Sequence, residues 1–410
     1  MTPLHLVSDA SASVDLLSFN RYVTPLCDIL TNPTSETPLT MGILGAWGCG
    51  KSTLLDLVEK RLERETGRNG LEFIRVRFNP WVYRDERNLL IPFLHTLRDH
   101  LEASTGDHFT QSAKKLATVL SEVGANVLLK TITVGQVSLK DLEEREGKYL
   151  EKRRRAESAM RQLRTDMEAV IKSATNDGAT GRLVFFVDDL DRCDPFQVLD
   201  ILESIKLFLD QKYCFFLLAM DEEVVARGIQ IKYNQYQFSD ERKAVIGAEY
   251  LEKMVQLPIY LYPLAADQVQ AYIEELPLPD DIKLQARSLA RTMLPNPRKI
   301  KRICNLLALN LGIRSQDARF LRAIDPNVLG KLVVLQVQDP LLYREILVIP
   351  KLAECLQRAL KDTTLDPNKQ AAYQMLGSFA ERGRQIYLRY LQMDGWVREL
   401  FTNGGDSGGW

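Results

Sequence analysis

The chain has 410 residues, of which 45% are hydrophobic and 26% are charged, and its formal net charge is −1. This balance is typical of a folded protein and excludes a disordered chain, while the near-zero charge excludes a global basic field for nucleic acid and leaves only local patches. The six cysteines form no CxxC pair and no secretory signal begins the chain, so we predict a cytoplasmic protein with free thiols.

The first third of the chain predicts alternating strands and helices. Residues 1–35 are interpreted as an N-terminal arm with a helix, and PLTMGILG (Pro38–Gly45) as a buried strand. The alternation of LEFIRVRFNPW predicts a second strand that stops at Pro80. A helix between these strands has an apolar face made of Leu54, Leu55, Val58 and Leu62. Residues 36–104 are therefore predicted to be the first half of an α/β core.

Residues 105–180 are predicted to be a helical insert. The segment 116–135 carries Ser121, Glu122 and Lys130 and falls short of the roughly 20 apolar residues that a membrane span needs. We therefore predict a packed or amphipathic helix there and no membrane anchor, with contact at a membrane surface as the alternative. The basic run Lys152–Arg155 could touch phosphates, but interleaved glutamates favour a solvated helix face. Nucleic-acid binding is left without support.

Strand and helix patterns resume at residue 181. The apolar runs LVFFV, YCFFLLAM and VQLPIYLYPL predict three more strands, with a helix near Pro195 after the first. We assign 181–264 to the second half of the core, 265–400 to a C-terminal helical region and 401–410 to a flexible tail. This order predicts a parallel α/β sheet flanked by helices, with a helical appendage.

The stretch GAWGCGKS (Gly45–Ser52) has the spacing G-x-x-x-x-G-K-[ST] between a predicted strand and a predicted helix. Glycines let a loop wrap backbone N–H groups around phosphate oxygens, and the helix start adds positive potential. A lysine at this position reaches the β- and γ-phosphates, and the following hydroxyl can bind Mg²⁺. The predicted nucleotide-contacting residues are Gly45, Trp47, Gly48, Cys49, Gly50, Lys51, Ser52 and Thr53; Trp47 is interpreted as packing rather than base-stacking.

Three aspartates follow the strand LVFFV. We predict that Asp188 is the metal-side carboxylate, at the tip of a strand expected to lie beside the strand of the phosphate loop. Asp189 or Asp191 is predicted to activate water. Asp191 could instead cap the next helix, a role for which Asp194 competes. Arg192 is left as either a phosphate-facing cation or a partner of these aspartates.

Two further polar positions follow later strands and helices. Asp221 either contacts the γ-phosphate region or caps the helix after it, and we favour the cap. In NPRKIKR, Asn296 is a predicted cap and Arg298 is a candidate cation that reports nucleotide state, the alternative being a surface salt bridge.

These stretches together resemble the KAP family of P-loop NTPases. GAWGCGKSTLL resembles that family's GxWGxGKSxLL, FNPWVY its FNxW element, and VDDLDRCDP its DDLDRC block, while YLEKMVQLPI, NPRKIKRICN and the leader SDASASVDLLSF are similar to other family blocks. The resemblance implies the additional-strand catalytic-glutamate class of P-loop fold, with the Asp188 strand between the P-loop strand and the strand Tyr213–Met220. It also suggests Asp188 for Mg²⁺, Asp189 or Asp191 for water, and a nucleotide-reporting role around Arg298.

Many members of that family carry transmembrane helices between the two nucleotide-binding blocks, and this insert lacks a convincing one. Members often act in bacterial defence or regulatory systems beside a partner protein. We therefore predict an ATP- and Mg²⁺-dependent hydrolase, with Lys51, Asp189, Asp191 and Arg298 as its catalytic set. It would act as a conformational or assembly switch with a protein partner and self-association. The alternative is a nucleotide-bound scaffold that hydrolyses little. No NKxD-like guanine reader is seen, which favours ATP over GTP.

Overall fold

The computed structural model describes residues 6–9, 15–66, 70–86, 89–103, 111–112, 114, 117, 161–194, 197–199, 201–203, 211–232, 240–316, 326–349, 352–354, 356–357 and 400–401. The predictions for Lys152–Arg155, for nearly all of 116–135, for Pro195 and for the tail beyond 401 lie outside these residues. The chain divides into two compact units. One is Ser18–Leu261, and the other combines Met1–Leu17 with Tyr262–Trp410.

The first unit is built on a five-stranded sheet in which every neighbouring pair is parallel. Its strands are β1 (Leu39–Leu44), β2 (Glu72–Phe78), β3 (Gly181–Val187), β4 (Cys214–Met220) and β5 (Leu257–Tyr260). All seven residues of β3 and of β4 are buried, as expected for central parallel strands covered on both faces. The predicted parallel sheet with flanking helices is thereby confirmed.

The strand order corrects one prediction. The order is β2-β3-β4-β1-β5, so β4 lies between the phosphate-loop strand β1 and the Asp188 strand β3. The expectation that the Asp188 strand adjoins β1, between it and the strand Tyr213–Met220, is wrong. The physical reason is that β3 and β4 are both buried, mostly apolar strands, so their hydrophobic pattern does not show which of them pairs with β1.

Helices flank this sheet, among them α1 (Asn20–Thr31), α2 (Lys51–Glu65), α3 (Leu90–Ala103), and two later helices at Glu222–Lys232 and Asp240–Met254. Of these, α2 and α3 pack against strands, α1 packs on α2, and the two later helices pack on each other. The predicted apolar face of α2 is confirmed, because Leu54, Leu55, Val58 and Leu62 are all buried. A helical stretch over 161–174, at the end of the predicted insert, places Leu163, Met167 and Val170 in the same hydrophobic core.

The second unit is helical wherever its secondary structure is regular in the described residues. Its helices are Ala266–Glu275, Asp280–Leu289, Pro297–Gln316, Pro326–Gln338 and Pro340–Val348. The amide of Asn305 donates to the carbonyl of Val7 and accepts from its N–H, both at 2.8 Å, so the start of the predicted N-terminal arm is fastened within this unit. Among the described residues, no helix is both long and apolar enough to cross a membrane.

Candidate nucleotide-binding site

The phosphate loop joins the end of β1 to the start of α2. Gly48 and Gly50 have φ values of 87° and 109°, in the region that favours glycine because it lacks a Cβ. A Cβ on Gly45 would lie 2.7 Å from the Sγ of Cys49, so the loop folds back closely over its own first residue. The tight loop ends at the N-terminus of α2, where unpaired backbone N–H groups favour an anion.

The side chain of Lys51 is buried within this loop. Its Nζ lies 2.8 Å from the carbonyl of Gly45 and 3.3 Å from that of Ala46. The Oδ2 of Asp191 lies 2.8 Å from the same nitrogen, and the side chains of Lys51 and Asp191 are each only 6% exposed. This contact is an ion pair without hydrogen-bond geometry, whereas the two carbonyls accept hydrogen bonds from the ammonium. Asp191 is thus the counterion of Lys51.

Ser52 and Asp188 join the loop to the end of β3. The Oγ of Ser52 donates to the Oδ1 of Asp188 at 3.0 Å, and the N–H of Asp189 donates to the same oxygen at 2.9 Å. Mg²⁺ in nucleotide sites is bound through oxygen ligands of these types, together with phosphates and water. The buried carboxylate beside a hydroxyl at the start of α2 therefore fits a nucleotide-associated Mg²⁺, and the metal-binding role of this pair stays a prediction.

Arg77 of β2 also contacts Asp188, and the sequence reasoning missed it. Its Nη2 donates to the Oδ2 of Asp188 at 2.9 Å, and its Nη1 donates to Glu59 at 3.0 Å and to Asp56. The charged positions that alternate with apolar ones along β2 were interpreted only as a strand face. Seven residues of β2 pair with β3, the strand before Asp188. The sequence did not show that these two strands are neighbours, so it did not indicate the contact between Arg77 and Asp188.

Asp189 adopts a left-handed backbone with φ of 57°. Its Oδ2 accepts from the Nδ2 of Asn79 at 2.8 Å, and its Oδ1 pairs with the Nε of Arg192 at 2.8 Å. Burial, with the neighbouring charge of Asp188, raises the pKa of Asp189, although Arg192 and Asn79 oppose the shift. Arg192 was predicted to be either a phosphate-facing cation or a partner of the aspartates, and in the structure it pairs with Asp189. Asn79 belongs to the FNPW stretch, whose chemical role the sequence did not indicate.

The remaining predicted residues have simpler surroundings. Thr53 is buried on α2. Trp47 is 59% exposed on the loop, so its interpretation as a packing residue is wrong. Burial raises the pKa of the Cys49 thiol, against the opposing effect of Lys51. Asp221 accepts from the N–H of Glu223 at 3.0 Å, which supports its interpretation as a cap. The backbone carbonyl of Asp194 accepts from the N–H of Val198 at 3.0 Å, whereas the side chain of Asp191 lies beside Lys51.

Arg298 lies in the second unit, on the helix Pro297–Gln316. The carboxamide of Asn296 accepts from the N–H of Lys299 at 3.1 Å, so the predicted cap of this helix is present. The nucleotide-reporting role of Arg298 stays a prediction.

Five parallel strands, a glycine loop closing on Lys51 and Ser52, and an aspartate at the end of β3 define a nucleotide-binding P-loop NTPase fold. The model of the KAP family P-loop domain matches residues 19–311. The chain belongs to the KAP family of P-loop proteins. Membership implies a nucleotide site and, typically, bound Mg²⁺.

Curated relatives match over shorter stretches. Kinase D-interacting substrate of 220 kDa from Rattus norvegicus and from Homo sapiens is 34% identical over 61 residues, which is 15% of this chain and 4% and 3% of those proteins. This chain therefore spans only a small part of their length. An uncharacterized protein of Methanocaldococcus jannaschii, MJ0182, is 26% identical over 173 residues, covering 33% of this chain and 84% of that protein.

Solved structures that align with this chain include origin recognition proteins. The Aeropyrum pernix ORC2 protein, solved with ADPNP and ADP, aligns at 14% identity with a TM-score of 0.41, covering 91% of this chain and 85% of that one. Drosophila ORC bound to DNA aligns at 13% identity with a TM-score of 0.40, covering 94% and 80%. Likenesses at this level carry no functional conclusion for this chain.

Proposed function

We propose that the chain is a Mg²⁺-dependent ATPase whose hydrolysis cycle drives a conformational or assembly switch. The observation that carries the proposal is the 3.0 Å hydrogen bond from Ser52 Oγ to Asp188 Oδ1. It brings the hydroxyl of the phosphate loop to the carboxylate that follows a buried strand, and these are the two protein oxygens that a nucleotide-bound Mg²⁺ requires. The adjacent Lys51 supplies the cation for the phosphates.

Each polar residue of the site then has a distinct role. Ser52 and Asp188 would hold Mg²⁺, which when bound neutralises phosphate charge. Lys51 would exchange Asp191 for phosphate oxygens. Asp189 is proposed to orient and deprotonate water, and its raised pKa brings the carboxyl closer to the range in which a base works well near neutral pH.

A second candidate is a nucleotide-bound scaffold with little or no hydrolysis. The observation that favours it is the engagement of the hydrolytic groups within the chain itself. Lys51 is paired with Asp191, and both oxygens of Asp189 are occupied, by Asn79 and by Arg192. Such groups must rearrange before they act, so slow intrinsic turnover with activation by a partner is expected under either candidate.

We further propose a cellular setting from family membership. The switch would act in the bacterial cytoplasm, in an anti-phage or regulatory system, with a protein partner and self-association. Cys27, Cys49, Cys193, Cys214 and Cys304 are free thiols, which supports a reducing compartment. Arg298 is proposed to report the nucleotide state to the helical unit that carries it.

The test is phosphate release from purified protein with ATP and Mg²⁺, with GTP as a parallel substrate. We expect Lys51→Ala to lose turnover and nucleotide affinity, and Asp189→Asn to lose turnover but retain nucleotide. Lys60→Ala, on the exposed side of α2, is the matched control and should behave as wild type. Bound nucleotide without turnover in any form would favour the scaffold, and no nucleotide binding at all would overturn both candidates.

A further inference from the structure

We infer that Arg77 is a positioning residue for the metal side of this site, fixing the Asp188 carboxylate against the P-loop helix before Mg²⁺ binds. The inference rests on the proposed function, since it concerns the same nucleotide-bound Mg²⁺. The two protein oxygens proposed to hold the metal come from different elements, Ser52 from α2 and Asp188 from the end of β3. Their separation therefore depends on how those two elements are held together.

The guanidinium of Arg77 bridges these two elements. One nitrogen, Nη2, donates to Asp188 Oδ2 at 2.9 Å, and the other, Nη1, donates to Glu59 at 3.0 Å and to Asp56. Asp56 and Glu59 follow Ser52 by four and seven residues, so all three lie on one face of α2. Arg77 thereby connects the face of α2 that carries the Ser52 hydroxyl to the carboxylate of Asp188.

The two oxygens of the Asp188 carboxylate have different hydrogen-bond partners. Oδ2 is held by Arg77, while Oδ1 accepts from Ser52 Oγ at 3.0 Å and from the N–H of Asp189. Arg77 thus fixes the rotation of the carboxylate and leaves Oδ1 directed to the hydroxyl. Partners of this kind orient metal ligands in many proteins and usually cost 10–100-fold in metal affinity when removed.

The charges around Arg77 fit the same role. A guanidinium stays protonated in proteins, so Arg77 is a cation facing Asp56, Asp188 and Glu59. Asp188 is only 6% exposed, and a buried carboxylate without a cation is strongly disfavoured. A planar guanidinium can serve two carboxylates at once through separate nitrogens, whereas a lysine ammonium is a single point charge. Arginine is therefore the side chain that this bridge needs.

The closing experiment measures how much Mg²⁺ strengthens nucleotide binding. The dissociation constant of a fluorescent, non-hydrolysable ATP analogue is determined in Mg²⁺ and in EDTA, and the ratio of the two constants is compared between variants. We expect Arg77→Gln to reduce this ratio by about tenfold or more while the constant in EDTA stays near wild type. Arg77→Lys keeps the positive charge but lacks the two separate guanidinium nitrogens. Its ratio should therefore lie between those of Arg77→Gln and wild type.

Arg75→Gln is the matched control. Arg75 lies two residues earlier on the same strand and bonds Glu63 of the same helix at 3.3 Å, so it tests the loss of a β2-to-α2 ion pair without the contact to Asp188. Its ratio should equal that of wild type. Circular dichroism and thermal unfolding of each variant establish that it is folded.

The outcomes separate the two proposals. Wild-type protein that binds the analogue in neither buffer overturns the proposed function. Binding that Mg²⁺ does not strengthen, an unchanged ratio in Arg77→Gln, or an equal loss of affinity in both buffers overturns the positioning role and leaves nucleotide binding standing. If Arg77→Gln does not fold, Arg77→Lys decides, and a full wild-type ratio in that variant overturns the inference.

Discussion

The Nζ of Lys51 lies 2.8 Å from the Oδ2 of Asp191, and both side chains are 6% exposed. The lysine that P-loop proteins present to phosphates is therefore already neutralised by a carboxylate of its own chain. Under the proposed function, phosphate oxygens would replace this carboxylate when Lys51 binds nucleotide. We therefore expect Asp191 to stabilise the nucleotide-free site at the expense of the nucleotide-bound one.

Asp191→Asn is expected to tighten nucleotide binding and to destabilise the free protein. Removing one partner of a buried ion pair leaves the other charge uncompensated, a penalty of about 3–5 kcal/mol, and bound phosphate would relieve part of it. We expect a lower Tm without nucleotide and about tenfold higher affinity in EDTA, equivalent to about 1.4 kcal/mol. Thermal unfolding and nucleotide titration measure both effects.

The control for Asp191 is Asp194→Asn, which changes a carboxylate at the start of the next helical stretch. It should leave nucleotide affinity unaltered. If Asp191→Asn instead keeps wild-type affinity and loses turnover, Asp191 acts on water and its pairing with Lys51 has no effect on binding.

Asn79→Ala is expected to shift the pH dependence of hydrolysis. The amide of Asn79 donates to Asp189 at 2.8 Å and so stabilises the ionised carboxylate, which lowers a pKa that burial has raised. Without this bond the pKa of Asp189 rises further. The acidic limb of the kcat profile, which reports the ionisation of the base, should then move to higher pH.

The comparison for this profile is Asn305→Ala, which removes an amide bound to the backbone of Val7 in the other unit. An acidic limb that moves equally in both variants, or in neither, would show that Asn79 does not act on the catalytic base.

Two parts of the P-loop site could be predicted from the sequence: the contiguous loop motif, and the polar residues that directly follow strands. The loop motif is contiguous, and the carboxyl ends of parallel strands meet at one edge of a sheet, so the pairing of Ser52 with Asp188 could be expected. The contacts of Arg77 and Asn79 with the aspartates span 111 and 110 residues. They depend on β2 being the neighbour of β3, and no hydrophobic pattern encodes which strands pair.

The role of Asp191 as the counterion of Lys51 was not predicted either, and here the reason is local backbone conformation. Asp191 follows β3 by four residues and was expected to face water or a helix end. The turn Leu190–Arg192, entered through the left-handed backbone of Asp189, directs Asp191 to the loop instead. A positive φ at an aspartate leaves no signature in residue spacing.

Asp189→Asn is expected to stabilise the protein at neutral pH. Because burial and Asp188 raise the pKa of Asp189, the folded state keeps this proton when the unfolded state has lost it. A rise in pH through the interval between the two pKa values therefore lowers the free energy of unfolding. The asparagine does not ionise, so its Tm should exceed that of wild type at pH 7 and converge with it below about pH 3.9.

Thermal unfolding across this pH range, with Asp85→Asn as the control, measures the effect. The side chain of Asp85 is 97% exposed, and no gain in Tm is expected from its replacement. A Tm of Asp189→Asn below wild type throughout the range would mean that the ion pair with Arg192 outweighs burial.

Gly50→Ala and Gly70→Ala form a matched pair for the phosphate loop. Both glycines have a positive φ, 109° at Gly50 and 71° at Gly70, where an L-residue costs about 1–2 kcal/mol. A Cβ on Gly70 meets no heavy atom within 4 Å, so Gly70→Ala should lower Tm modestly and leave nucleotide affinity unchanged. Gly50 is the N-cap of α2, directly before Lys51, so relief of its strain moves the lysine and the helix N-terminus. We expect Gly50→Ala to lower Tm about as much as Gly70→Ala does. Titration of the fluorescent ATP analogue should show that Gly50→Ala also loses nucleotide affinity by about tenfold or more, equivalent to about 1.4 kcal/mol. Equal nucleotide affinity in the two variants would show that the loop conformation seen here is not the one that binds phosphate.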